Sequence, residues 1–113
     1  MKAHLINLLE SMGYPVYLQG SLLESEYPQS FFTVWDFEAD ELIHYNGDPF
    51  SCTWGFWVYF YSTSPELVES EPLKAKSLLT KNGYSVDGKP TSANSGTRTH
   101  TGSMLTARYL EIY

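Results

Sequence analysis

Thr53-Trp54-Gly55-Phe56-Trp57-Val58-Tyr59-Phe60-Tyr61-Ser62 is the stretch on which the fold turns. It is dominated by aromatic and β-branched residues, the types that fit a pleated and largely buried surface. Side chains alternate across a strand, so Trp54, Phe56, Val58 and Phe60 fall on one face and Gly55, Trp57, Tyr59 and Tyr61 on the other. Both faces therefore carry rings. The run Phe31–Asp40 has the same character, and Asp40 to Pro49 joins the two with Asn46-Gly47 as a turn signal and a possible short strand at Leu42–Tyr45. The spacing predicts an antiparallel hairpin.

Working outward, Leu5, Ile6, Leu8, Leu9 and Met12 follow the 3.6-residue period of a short amphipathic helix, closed by Gly13 and Pro15. Tyr14–Gly20 reads as a short strand in a first or edge position, because Pro15 lacks a ladder donor. Residues 21–30 read as a connecting loop. Ser64-Pro65-Glu66 has the order of a helix start: a serine cap, proline at the first helical position, then an acid. Leu67, Val68, Ala75, Leu78 and Leu79 supply that helix's buried face, and Asn82-Gly83 ends it. Pro72 predicts a kink or two short pieces. A further short strand is possible at Tyr84–Val86. Asp87–Thr101 is rich in Gly, Ser, Thr and Asn with little to bury, which predicts a long mobile loop. Ser103–Tyr113 alternates again, with Leu105, Ala107, Tyr109 and Glu111 on one face. The expected fold is a single α+β domain over residues 1–113: an antiparallel sheet, two helices packed on one face, and the long loop before the last strand.

Charge and composition narrow the chemistry. The net charge of −6 disfavours a sequence-independent hold on nucleic acid. Residues 1–63 carry eight acids against Lys2, a local net of −7, while residues 64–113 stand at +1. That asymmetry reads either as solvated faces or as two unlike surfaces that meet between copies. Cys52 is the single cysteine, and the N-terminal run lacks a continuous apolar core, so the expected setting is intracellular, with no membrane span.

No catalytic constellation emerges. His4, His44, Cys52 and His100 show none of the close pairings that gather zinc ligands. Glu24 with Glu26, and Asp36 with Glu38 and Asp40, have the spacing that aligns carboxylates on one strand face, and a charged outer face has the same pattern. There is no nucleophile elbow, and Gly88, Gly96 and Gly102 lack the strand-then-helix setting of a phosphate loop. The expectation is a protein without cofactor, metal or enzymatic activity. What needs explaining is the sheet's second face, assigned Trp57, Tyr59, Tyr61 and Tyr109 with Trp35 and Phe37 also in question. Such rings either complete the core or suit an interface.

The runs Phe31-Phe32-Thr33-Val34-Trp35 and Trp54 through Pro65, the helix that follows, and Thr99-His100-Thr101-Gly102 before a closing strand together resemble the small tail-terminator or tail-completion proteins of long-tailed bacteriophages and prophages. The resemblance covers nearly the whole chain in element order. It implies an α/β subunit that closes into a homo-oligomeric ring, a hexamer in that family. The ring sits at the head–tail junction of the virion and contacts the tail tube and the head connector. The residues assigned to interfaces on this reading are Trp57, Tyr59, Tyr61, Tyr109, Asp36, Glu38, Asp40, Lys89, Arg98 and His100. The two basic residues pair with a neighbour's acids, and His100 acts as a hinge. Two other classes stay open: an acidic binding module of the immunity or inhibitor kind, and a small enzyme using carboxylates in a cleft.

Overall fold

The computed structural model describes residues 2–18, 28–43, 49–87, 90–93 and 100–112. In chain order the elements are α1 (Lys2–Glu10), β1 (Val16–Leu18), β2 (Ser30–Ile43), β3 (Pro49–Ser62), α2 (Pro65–Lys81), β4 (Ser85–Val86), β5 (Thr91–Ala93) and β6 (Thr101–Ile112). The strands form one sheet in the order β1-β2-β3-β6-β4, with β5 also paired to β6. The expected hairpin is its spine: β2 and β3 pair antiparallel from Ser30↔Ser62 to Ile43↔Pro49. The short strand expected at Leu42–Tyr45 does not stand apart, because β2 runs unbroken to Ile43. Residues 44–48, with the Asn46-Gly47 turn signal, lie outside the described residues.

β6 returns alongside β3 rather than extending the hairpin in sequence order, and pairs with it from Ser51↔Ile112 to Ser62↔Thr101. β3 thus becomes the central strand, which is why it must be rich in large side chains. β1 adds to β2 in parallel, and Phe32 donates its N–H to the Pro15 carbonyl. That bond uses Pro15 as an acceptor, the one backbone role proline keeps.

The core lies between the sheet and both helices. Leu5 and Leu9 of α1, Ala75 and Leu79 of α2, and Phe32, Phe56, Phe60, Leu105 and Ala107 from the sheet are buried together in it. Rings interlock there: Phe32 and Phe60 sit 4.8 Å apart, with Tyr14 edge-on to both. α2 spans Pro72 as one helix and does not divide. Glu71, Pro72, Ala75 and Leu79 are buried along it, and burial of that face outweighs the one backbone bond that proline removes. The start of α2 also differs from expectation. Ser64 makes no side-chain cap bond. Its N–H donates instead to Oγ of the buried Ser62, which shares a hydrogen bond with Ser30. At the other end Gly83 takes φ +92, the left-handed conformation that ends helices, and a Cβ there would lie 3.2 Å from the Tyr109 ring.

The stretch expected as one long loop contains β5. Thr91–Ala93 pairs antiparallel with Gly102–Met104, and Ser103 Oγ donates to the Thr91 carbonyl at 3.2 Å. Composition could not show this, because the strand is held by backbone bonds to the edge of β6 and needs no apolar side chains of its own. Residues 88–89 and 94–99 of that stretch, with Lys89 and Arg98, lie outside the described residues.

Phe56 is fully buried at the centre of this core. Phe56→Ala should cost about 3–5 kcal/mol in chemical denaturation, with the slope against denaturant unchanged; a loss below about 1 kcal/mol would contradict the packing described.

Candidate functional site

The sheet's other face carries a cross-strand ladder. Phe31 opposes Tyr61, Thr33 opposes Tyr59 and Trp35 opposes Trp57, with Met104, Thr106 and Arg108 of β6 continuing the rungs. One end of this ladder is closed. Phe31 and Tyr61 are buried, 5.4 Å apart, and the rings of Tyr17 and His100 meet Phe31 edge-on. His100 is therefore no hinge: it is buried, and its Nε2 lies 2.8 Å from the Pro28 carbonyl, tying the start of β6 to the start of β2.

Toward the middle the face opens. Trp35 is 50% exposed and Leu110 57%. Trp57 and Tyr59 are half-buried, and Tyr59 stacks on Tyr61 at 6.0 Å. A β-bulge between Asp36 and Glu38 inserts Phe37 into β2, and Phe37 stacks on Trp57 with centroids 4.8 Å apart. The Arg108 guanidinium lies over the same ring at 5.5 Å and bonds Asp87 at 2.7 Å. Gly55 lies between Glu38 and Arg108 in the sheet.

The bulge corrects the expectation for the acids. An extra residue between Asp36 and Glu38 breaks the alternation that would align Asp36, Glu38 and Asp40. Asp36 bonds Lys2 of α1 at 3.0 Å, and that contact holds its carboxyl below the usual range. Glu38 and Asp40 occupy register positions opposite Gly55 and Thr53. Tyr109 is also corrected: its partner in β3 is Trp54, so it belongs to the helix side. There it packs on Tyr84 at 4.9 Å and meets His4 edge-on. Of the residues assigned to the outer face, the structure keeps Trp57, Tyr59 and Tyr61 together, places Trp35 and Phe37, which were in question, with them, and removes Tyr109. Spacing could not reveal the bulge that parts Asp36 from Glu38, because a bulge is a register event between strands.

Groups with chemical potential are dispersed. Cys52 is buried in β3, and among the described residues no three metal-ligating side chains gather. A cleft of about 420 Å³ runs between the chain leaving α1 and the start of α2. Tyr14, Ser30, Ser62 and Ser64 line it, and none of its described lining residues is a carboxylate. Tyr14 lies near the buried Glu71, which Lys74 holds at 3.1 Å; burial first, then the Glu71 charge, raises the Tyr14 pKa. Among the described residues no helix is long and apolar enough to cross a membrane. The chain matches no protein-family model and no curated protein.

Burial, then the neighbouring Tyr109, pushes Tyr84 up to about 12 from 10.0. A neutral phenol favoured by folding contributes stability that is whole below pH 10 and is lost as pH rises through 12. Unfolding free energy should fall by up to about 1.4 kcal/mol per pH unit in that window from this group. Tyr84→Phe should remove that share of the slope when the two proteins are denatured side by side at pH 9 and pH 11.5.

Proposed function

We propose that the chain is a structural subunit that assembles with copies of itself through the outer aromatic face of its sheet, and that it serves as a tail-terminator or tail-completion protein in a ring at a phage head–tail junction. The observation that carries the reading is the open ladder of Trp35, Phe37, Trp57 and Tyr59, with Leu110 beside it, on the side opposite both helices. Tryptophan and tyrosine rings, stiff and half-exposed in a contiguous stripe, are the anchors interfaces favour. The unequal charge of the two halves fits a heterologous contact, in which different surfaces of adjacent copies meet and a closing rotation makes a ring. The element order adds the resemblance to phage tail completion proteins. On this reading the work of the molecule is done by geometry, and its partners are its own copies, the tail tube and the head connector.

Sedimentation should show a mass that rises with concentration toward a closed oligomer. Trp35→Lys should return the chain to a monomer with stability within about 1 kcal/mol of the parent, whereas Leu73→Lys, at an equally exposed site on α2, should leave assembly intact. A parent chain that stays monomeric at all concentrations would overturn the ring and favour a binding module.

A further inference from the structure

One ring of the outer face is tied to contacts on the opposite side of the sheet. Asp36 and Phe37 are consecutive, yet Asp36 opposes Phe56 and so belongs to the helix side, while Phe37 stacks on Trp57 of the outer side. The register passes from Asp36↔Phe56 to Glu38↔Gly55 and leaves Phe37 without a rung. A residue left out of the ladder is placed by what flanks it rather than by paired backbone bonds. The neighbours of Phe37 therefore decide where its ring lies.

Both flanks lead to α1. On one, Lys2 in the first turn of α1 donates to Oδ1 of Asp36 at 3.0 Å, fixing the residue that enters the bulge. On the other, the Arg108 guanidinium covers the Phe37 ring and bonds Asp87 at 2.7 Å. Asp87 is held in turn, its N–H donating to the Thr106 carbonyl at 3.0 Å, and it directly follows β4, which begins right after Tyr84. Tyr84 is buried, and its hydroxyl shares a hydrogen bond of 3.0 Å with Nδ1 of His4 on α1. Leu5 and Leu9, fully buried, seat the helix that carries both ties.

We infer that α1 is the positioning element of the outer face: through Lys2 and Asp36, and through His4 and Tyr84, its seat sets where the Phe37 ring lies on Trp57, so that displacing the start of α1 weakens assembly. The consequence for assembly rests on the reading proposed above, and the linkage rests on the contacts alone. Ties of this kind at a surface are individually weak, which suits a device that shifts a face without unfolding the domain.

The test reads the Trp57 indole N–H in the isotope-labelled full chain, at a dilution where sedimentation shows monomer, and then the assembly of the same variants at higher concentration. Lys2→Met, and His4→Phe, which keeps a ring and loses the bond, should each move the Trp57 resonance and weaken assembly by about threefold. Lys74→Met, which breaks an ion pair within α2, should do neither. In a Phe37→Leu chain the response of Trp57 to Lys2→Met should vanish, because the ring that transmits it is gone. A Trp57 resonance that ignores both α1 variants, one that still answers Lys2→Met without Phe37, or undiminished assembly of both variants from a parent that assembles would each overturn the inference. A Trp57 resonance that moves in a chain that never assembles would uphold the linkage and overturn the assembly reading alone.

Discussion

β3 presents large side chains on both faces, and the two helices cover only one of them. The rest of the structure answers that constraint. On the helix side the answer is complete: Phe56, Val58 and Phe60 are almost wholly buried beneath Leu5, Leu9, Ala75 and Leu79. On the other side it is graded along the strand. The Tyr61 end is sealed by Phe31, with Tyr17 and His100 at the Phe31 ring, the middle covers itself by stacking Phe37 on Trp57 under Arg108, and Trp35 is left half in solvent. Burying a ring the size of tryptophan is worth several kcal/mol at about 25 cal/mol per Å². A stripe of such rings left partly wet holds stabilisation that covering the face would release.

The bulge at Phe37 links this surface to the charges around it. One inserted residue brings a ring onto Trp57, places it beneath the Arg108 guanidinium, and through Arg108 reaches Asp87 just past β4. The same insertion parts Asp36 from Glu38, so Asp36 joins Lys2 at the start of α1 while the acids beyond it follow the extended end of the hairpin. Exposed pairs of this kind contribute roughly 0–1 kcal/mol each, so they orient local surfaces more than they hold the fold.

Much of this was legible in the residues. The hairpin, both helices, the last strand and the division of β3 into two aromatic faces follow from alternation, cap chemistry and period, since each is a local property of the chain. What escaped was non-local. Tyr109 went to the wrong face because alternation fixes which residues of β6 share a side but not which side meets the helices; that depends on its pairing with Trp54. The bulge, the parallel attachment of β1 and the short β5 are agreements between strands distant in sequence. His100, read as a hinge for its place beside a polar run, is an anchor because Pro28 and Phe31 wait at the far end of the sheet. The outer surface was therefore foreseen in kind, through Trp57, Tyr59 and Tyr61, and redrawn in membership.

The functional account rests on one physical statement: the half-exposed rings of the outer face are covered when copies of the chain meet. Hydroxyl-radical footprinting of the unmodified protein across a concentration series tests it most directly. Trp35 and Leu110 should be oxidised readily in dilute solution and become protected as the mass rises, while Leu73, exposed to a similar degree on α2, stays reactive throughout. Assembly that protects Leu73 and leaves Trp35 and Leu110 open to oxidation would contradict the account.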